Sequence, residues 1–115
     1  MNVQERLLYQ DDQLTISLAA APGVPAVALV GEIDASNSPA LATALAGCRQ
    51  GGYIVVDTGA LTFIDVSGLR VLVMPGLPPS QRWIRLRNVT PYQQRLLSMM
   101  GWFYQPKVRH APLWD

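Results

Sequence analysis

One cysteine (Cys48), one histidine (His110) and one lysine (Lys107) are all that the 115 residues contain of these types. A single cysteine excludes an internal disulfide, and with one histidine beside it a Cys/His metal site within one chain is excluded too. Lys107 follows no glycine-rich run, so a phosphate-cradling loop ending Gly-Lys-Ser/Thr is missing, and so is a G-x-G-x-x-G dinucleotide fingerprint. No serine sits in a G-x-S-x-G elbow, and His110, close to the chain end, is a poor triad member. Long apolar runs are lacking as well. The longest mostly apolar stretch, residues 18–30, is broken by Pro22, Gly23 and Pro25, whereas a membrane helix needs roughly 20 such residues. Glu5, Asp11 and Asp12 stand where a leader peptide would carry positive charge and an apolar run. The expectation is a cytoplasmic protein with no membrane segment, no metal and no cofactor.

What is present points to one packed domain. Half of the chain is apolar, only 15% is charged, and three Trp, four Tyr and two Phe supply bulky core material. Residues 1–101 are expected to form the domain, with residues 102–115 as an aromatic tail (Trp102, Phe103, Tyr104, Leu113, Trp114) docked on the domain or on a partner. The charge is unevenly spread: residues 1–65 hold seven acids and two bases, residues 66–115 seven bases and one acid. Such asymmetry can mark a nucleic-acid surface, but these arginines are dispersed among apolar neighbours and form no run of like charge. Direct nucleic-acid binding is not expected.

Leu7-Leu8-Tyr9 and Leu14 to Leu18 read as two short strands around Asp11-Asp12, a hairpin without a turn glycine. Val24 to Val30 is apolar enough to be expected as a strand buried on both faces, and Tyr53 to Val56 as a β-branched, continuous apolar strand. Ser38 as N-cap and Pro39 at the first position open a helix with a Leu41, Leu45, Cys48 stripe. Asp57 to Asp65 reads as a loop whose Leu61, Phe63 and Ile64 tuck inward. A two-turn helix is expected over Ser67 to Met74 with Ser67 as its cap, then a strand over Trp83 to Arg87. Thr90, Pro91 and Gln93 form a capping box before a last helix that buries Tyr92, Leu96, Met99 and Met100 and is closed by Gly101. The expected fold is α/β, a mixed and mostly parallel sheet flanked by helices in the order β-β-α-β-α-β-α, with the opening hairpin as antiparallel edge.

The chemistry concentrates in Phe63-Ile64-Asp65-Val66-Ser67-Gly68-Leu69-Arg70. Ser67 would open a helix at the carboxyl end of a parallel strand, where ligands and partners approach an open α/β sheet. Gly68 leaves no side chain over the hydroxyl. A phosphoryl group on Ser67 would meet the positive end of the helix and be repelled by Asp65 and Asp34, adding roughly two negative charges while the helix stands. The plainer reading is a serine N-cap. Pairs among Asp34, Asp57 and Asp65 could do acid–base work, yet loop carboxylates more often cap or stay solvated, and the chain is not expected to be an enzyme.

Val30-Gly31-Glu32-Ile33-Asp34, Tyr53-Ile54-Val55-Val56-Asp57 and Phe63-Ile64-Asp65-Val66-Ser67-Gly68-Leu69 together resemble the STAS domain, and more closely the bacterial anti-sigma-factor antagonists, from about Leu14 to Gly101. The resemblance implies the STAS-domain fold and a protein that binds a cognate anti-sigma factor, itself a serine protein kinase, and is switched off when that kinase phosphorylates Ser67. The unmodified antagonist would free the sigma factor for transcription. Asp34, Ser36, Asn37, Asp65, Gly68, Leu69 and Arg70 are then the partner-binding candidates. An alternative is a STAS-type sensory or scaffold module that binds a small ligand such as a nucleotide, or pairs as a homodimer, without phosphorylation.

Overall fold

The computed structural model describes residues 4–20 and 23–100. The tail over residues 102–115, Gly101 expected to close the last helix, and Ala21 and Pro22 lie outside the described residues. The order is β1 (Gln4–Gln10), β2 (Leu14–Ala20), β3 (Ala26–Ile33), α1 (Ser38–Cys48), β4 (Ile54–Ile64), α2 (Val66–Val73), β5 (Ile84–Arg87) and α3 (Pro91–Met99), with a 3-10 turn over Pro79–Gln81. The three strands read before the first helix are all present, one more than the order β-β-α-β-α-β-α counts. They form one mixed sheet in the order β1-β2-β3-β4-β5. β1-β2 and β2-β3 pair antiparallel, β3-β4 and β4-β5 parallel, so the two pairings are evenly divided.

The opening hairpin turns without glycine because Asp11 does the work. Its Oδ1 accepts from the backbone N–H groups of Gln13 and Leu14, both at 2.7 Å, and its Oδ2 from the Tyr9 hydroxyl at 2.6 Å. β3 and β4 are not buried on both faces. Their core-facing residues are Val27, Leu29 and Ile33, and Ile54, Val56, Thr58, Leu61 and Ile64, while Val30 is 49% exposed. The core joins these residues to Leu14 and Ile16 of β2, Ile84 and Leu86 of β5, and apolar residues from all three helices. That is the alternation of a sheet packed on one side. Among the described residues the opposite face carries no helix.

The expected loop over Asp57–Asp65 is strand through Ile64. Polar and small residues there hid the pattern, and register shifts at Ala28/Val30 and Gly31/Glu32 let the β3 ladder keep pairing alongside. Phe63 does not tuck in; it is 41% exposed. In α1 the Leu41, Leu45 and Cys48 stripe is buried as expected, but Asn37, not Ser38, precedes the helix. In α3 the capping box of Thr90 and Gln93 is formed. Its buried face is Gln93, Leu97 and Met100, whereas Tyr92 and Met99 are exposed and Leu96 is partly buried.

Candidate site at the start of the second helix

Ile33 and Ile64 are register partners on the parallel strands β3 and β4, so Asp34 and Asp65 leave the sheet side by side at its carboxyl end. The Asp65 backbone N–H donates to the Ile33 carbonyl at 3.2 Å and ties the two turns together. Asp65, rather than Ser67, caps α2. The cap needs an acceptor for the third helical N–H, and an extended backbone at Asp65 aims its carboxylate at Gly68, whose N–H donates to Oδ1 at 3.1 Å. Ser67 therefore sits within the first turn, partly exposed, and its hydroxyl donates to the same Asp65 Oδ1 at 2.6 Å. One carboxylate oxygen holds both the helix start and the serine.

The neighbouring turn is built around Asp34. Its Oδ1 accepts from the Ser36 hydroxyl at 2.5 Å and the Ser36 N–H at 2.9 Å. Those bonds, the hydroxyl's foremost, hold its carboxyl below the usual carboxylate range. Asn37, a partner-binding candidate in sequence, is fully buried: its Oδ1 accepts from the Asp34 N–H and its Nδ2 donates to the Glu32 carbonyl, which braces the turn from inside. Gln13, from the hairpin, reaches over with Nε2 at 3.4 Å from Glu32 Oε1 and 3.5 Å from Asp34 Oδ2. Gly31 makes this approach possible. It has φ +114°, and a Cβ there would run into the Gln13 carbonyl.

Two other candidates also turn inward. Gly68 is buried, and an added Cβ would lie 2.6 Å from Ile33 Cγ2 and 2.9 Å from Ile64 Cγ1. The missing side chain lets α2 lie against the sheet and does not clear a path for a partner. Leu69 is 2% exposed and belongs to the core, so it offers no side-chain surface. Ser36 and Arg70 are exposed.

Sequence reasoning missed the apolar groups around this end. Val66, the first residue of α2, is 49% exposed, and Phe63 two residues before Asp65 is 41% exposed. Tyr92 is 40% exposed and its hydroxyl lies 3.5 Å from the Ile64 carbonyl, at the end of β4. No local pattern marks them: Phe63 and Tyr92 read as core material, and Val66 carries no assignment of its own. Gln13 carried no signal at all, its role arising from a contact 19 and 21 residues away.

The chain matches, over residues 16–103, the family described as "Mlab, STAS domain". It belongs to the STAS domain family. None of the curated proteins matches the sequence. Among solved structures, an anti-sigma factor antagonist from Mycobacterium paratuberculosis is similar with a TM-score of 0.65 at 24% identity, over 83% of this chain and 84% of that one. The anti-sigma factor antagonist SpoIIAA in its unphosphorylated form is similar with a TM-score of 0.53 at 20% identity, over 75% and 80% of the two chains. At these identities the likeness establishes the fold. Among the described residues of this STAS domain no helix is long and apolar enough to cross a membrane, and no group of three acidic, histidine or cysteine side chains is placed to hold a metal ion.

Proposed function

We propose that this STAS domain is an anti-sigma factor antagonist that binds an anti-sigma factor acting as a serine kinase, and that phosphorylation of Ser67 breaks the complex. The observation that carries the reading is Ser67, a partly exposed residue in the first turn of α2 whose hydroxyl is oriented by Asp65. The similar structures, both of anti-sigma factor antagonists, support the role. The surroundings suit a switch. Val66, Phe63 and Tyr92 offer exposed apolar area for docking, while Glu32, Asp34 and Asp65 supply negative charge. A phosphoryl group on Ser67 replaces a hydrogen bond to Asp65 with repulsion and places a dianion where the partner must remove water. Like charges forced together in an interface cost several kcal/mol, and every ~1.4 kcal/mol is tenfold in affinity.

The test is incubation with ATP and the serine kinases of the same genome, followed by intact mass. One phosphoryl group is expected on the wild type and none on Ser67→Ala; a variant that still gains it removes Ser67 from the role. Ser67→Asp is expected to weaken partner binding at least tenfold with little change in thermal midpoint.

A module that binds a small ligand or pairs with itself, never phosphorylated, is the second reading. It is favoured by the brevity of α2, eight residues ended by Met74 at φ 53°. Partner affinity unchanged by Ser67→Asp would select it.

A further inference from the structure

At the opposite end of β4 from Ser67 lies a cleft of about 530 Å³, within the size range of small-molecule sites. The chain forms it from two connections: Arg49 to Tyr53, between α1 and β4, and Leu77 to Trp83, between α2 and β5. The Ile54 N–H donates to the Trp83 carbonyl at 2.8 Å, which fixes the two connections side by side at the amino ends of the parallel strands. The lining is chemically one-sided. It contains two arginines, Arg49 and Arg82, two aromatic rings, Tyr53 and Trp83, and no acidic residue.

The guanidinium groups are already arranged around the rings. Arg49 Cζ lies 4.9 Å from the centre of the Trp83 ring, and Arg85 Cζ lies 4.3 Å from that of Tyr53. A guanidinium held over a ring keeps N–H donors, the groups that match an oxyanion. Arg82 Nε donates to the Met74 and Leu77 carbonyls at 3.0 and 2.9 Å, and so pins the second connection in place. Gly52 leaves one wall without a side chain, with open space where a Cβ would stand.

We propose that this cleft binds a small ligand made of an oxyanion joined to a flat apolar body, of the aryl phosphate or aryl carboxylate class. The oxyanion meets the N–H edge of Arg49, and the flat body lies against Trp83 and Tyr53. The site is separate from Ser67 and does not depend on the partner-switch reading.

The test is a titration of the full chain with phenyl phosphate, benzoate, inorganic phosphate and phenol, followed by amide and indole NMR cross-peaks. Saturable shifts are expected at Gly51, Gly52, Ser80, Gln81 and the Trp83 indole, tightest for phenyl phosphate or benzoate, with inorganic phosphate and phenol each weaker. Whichever aryl anion binds more tightly identifies the oxyanion. Arg49→Ala is expected to lower the affinity on the order of tenfold. Gly52→Leu, whose Cβ meets no neighbour, should crowd the open wall and abolish it while the thermal midpoint holds. Ser67→Ala should leave it unchanged. Absence of saturable shifts at millimolar phenyl phosphate and benzoate, an affinity unchanged by Arg49→Ala, or shifts gathered around Ser67 instead would each overturn the proposal.

Discussion

Asp34 and Gly68 show how single residues set this site. The Asp34 carboxyl is held below its ordinary value chiefly by the Ser36 hydroxyl. A depressed folded-state value means that its stabilising contribution is present above the unfolded-state value, near ~4, and is lost as the pH falls through the lower folded one. Removing the hydroxyl in Ser36→Ala should return Asp34 toward the ordinary range, read as an upward move of its carboxyl titration by NMR; an unmoved titration would contradict the assignment. Gly68 has the opposite character, set by space rather than charge. Gly68→Ala must push a methyl group between Ile33 and Ile64, which should cost ~1–3 kcal/mol in denaturant unfolding. Wild-type stability in that variant would mean α2 shifts freely on the sheet.

Helix starts separate what local sequence reveals from what it hides. The Thr90–Gln93 box was legible because both partners lie within one turn of each other, and it is formed. Its further bonds were not legible. Gln93 Oε1 also accepts from the Thr58 hydroxyl at 2.6 Å, and Nε2 donates to the Thr58 carbonyl at 2.8 Å, both 35 residues distant in sequence. This buried pairing also explains why β4 tolerates a polar residue on its core face, the feature that made the segment read as a loop. Gln93→Leu keeps the bulk and strips these bonds, leaving Thr58 and the Thr90 N–H without their partner. A loss of ~1–3 kcal/mol is expected by thermal or chemical melting; a neutral result would show that water replaces the amide. At α2 the start was misplaced by two residues because Asp65 and Ser67 are both good caps, and only the strand's exit angle selects the carboxylate. The serine was legible as a candidate, its hydrogen-bond partner less so, and the surrounding apolar Val66, Phe63 and Tyr92 not at all, since exposure depends on which face the helices cover.

Across the whole molecule the uneven spread of charge along the chain becomes a separation in space. Asp11 and Asp12 stand in the hairpin turn next to Gln13, which touches Glu32 and Asp34, and Asp65 follows on the adjoining strand. Five of the eight acidic residues thus gather at one pole, and Arg49, Arg82 and Arg85 stand toward the other around Trp83 and Tyr53. Among the described residues, these opposite charges are separated along β4. If the proposed partner docks at the serine pole with positive charge, this arrangement would steer it there before contact and speed encounter. Raising ionic strength should slow association while leaving dissociation nearly constant, a split that stopped-flow kinetics can read directly. Net charge alone would give no hint of it.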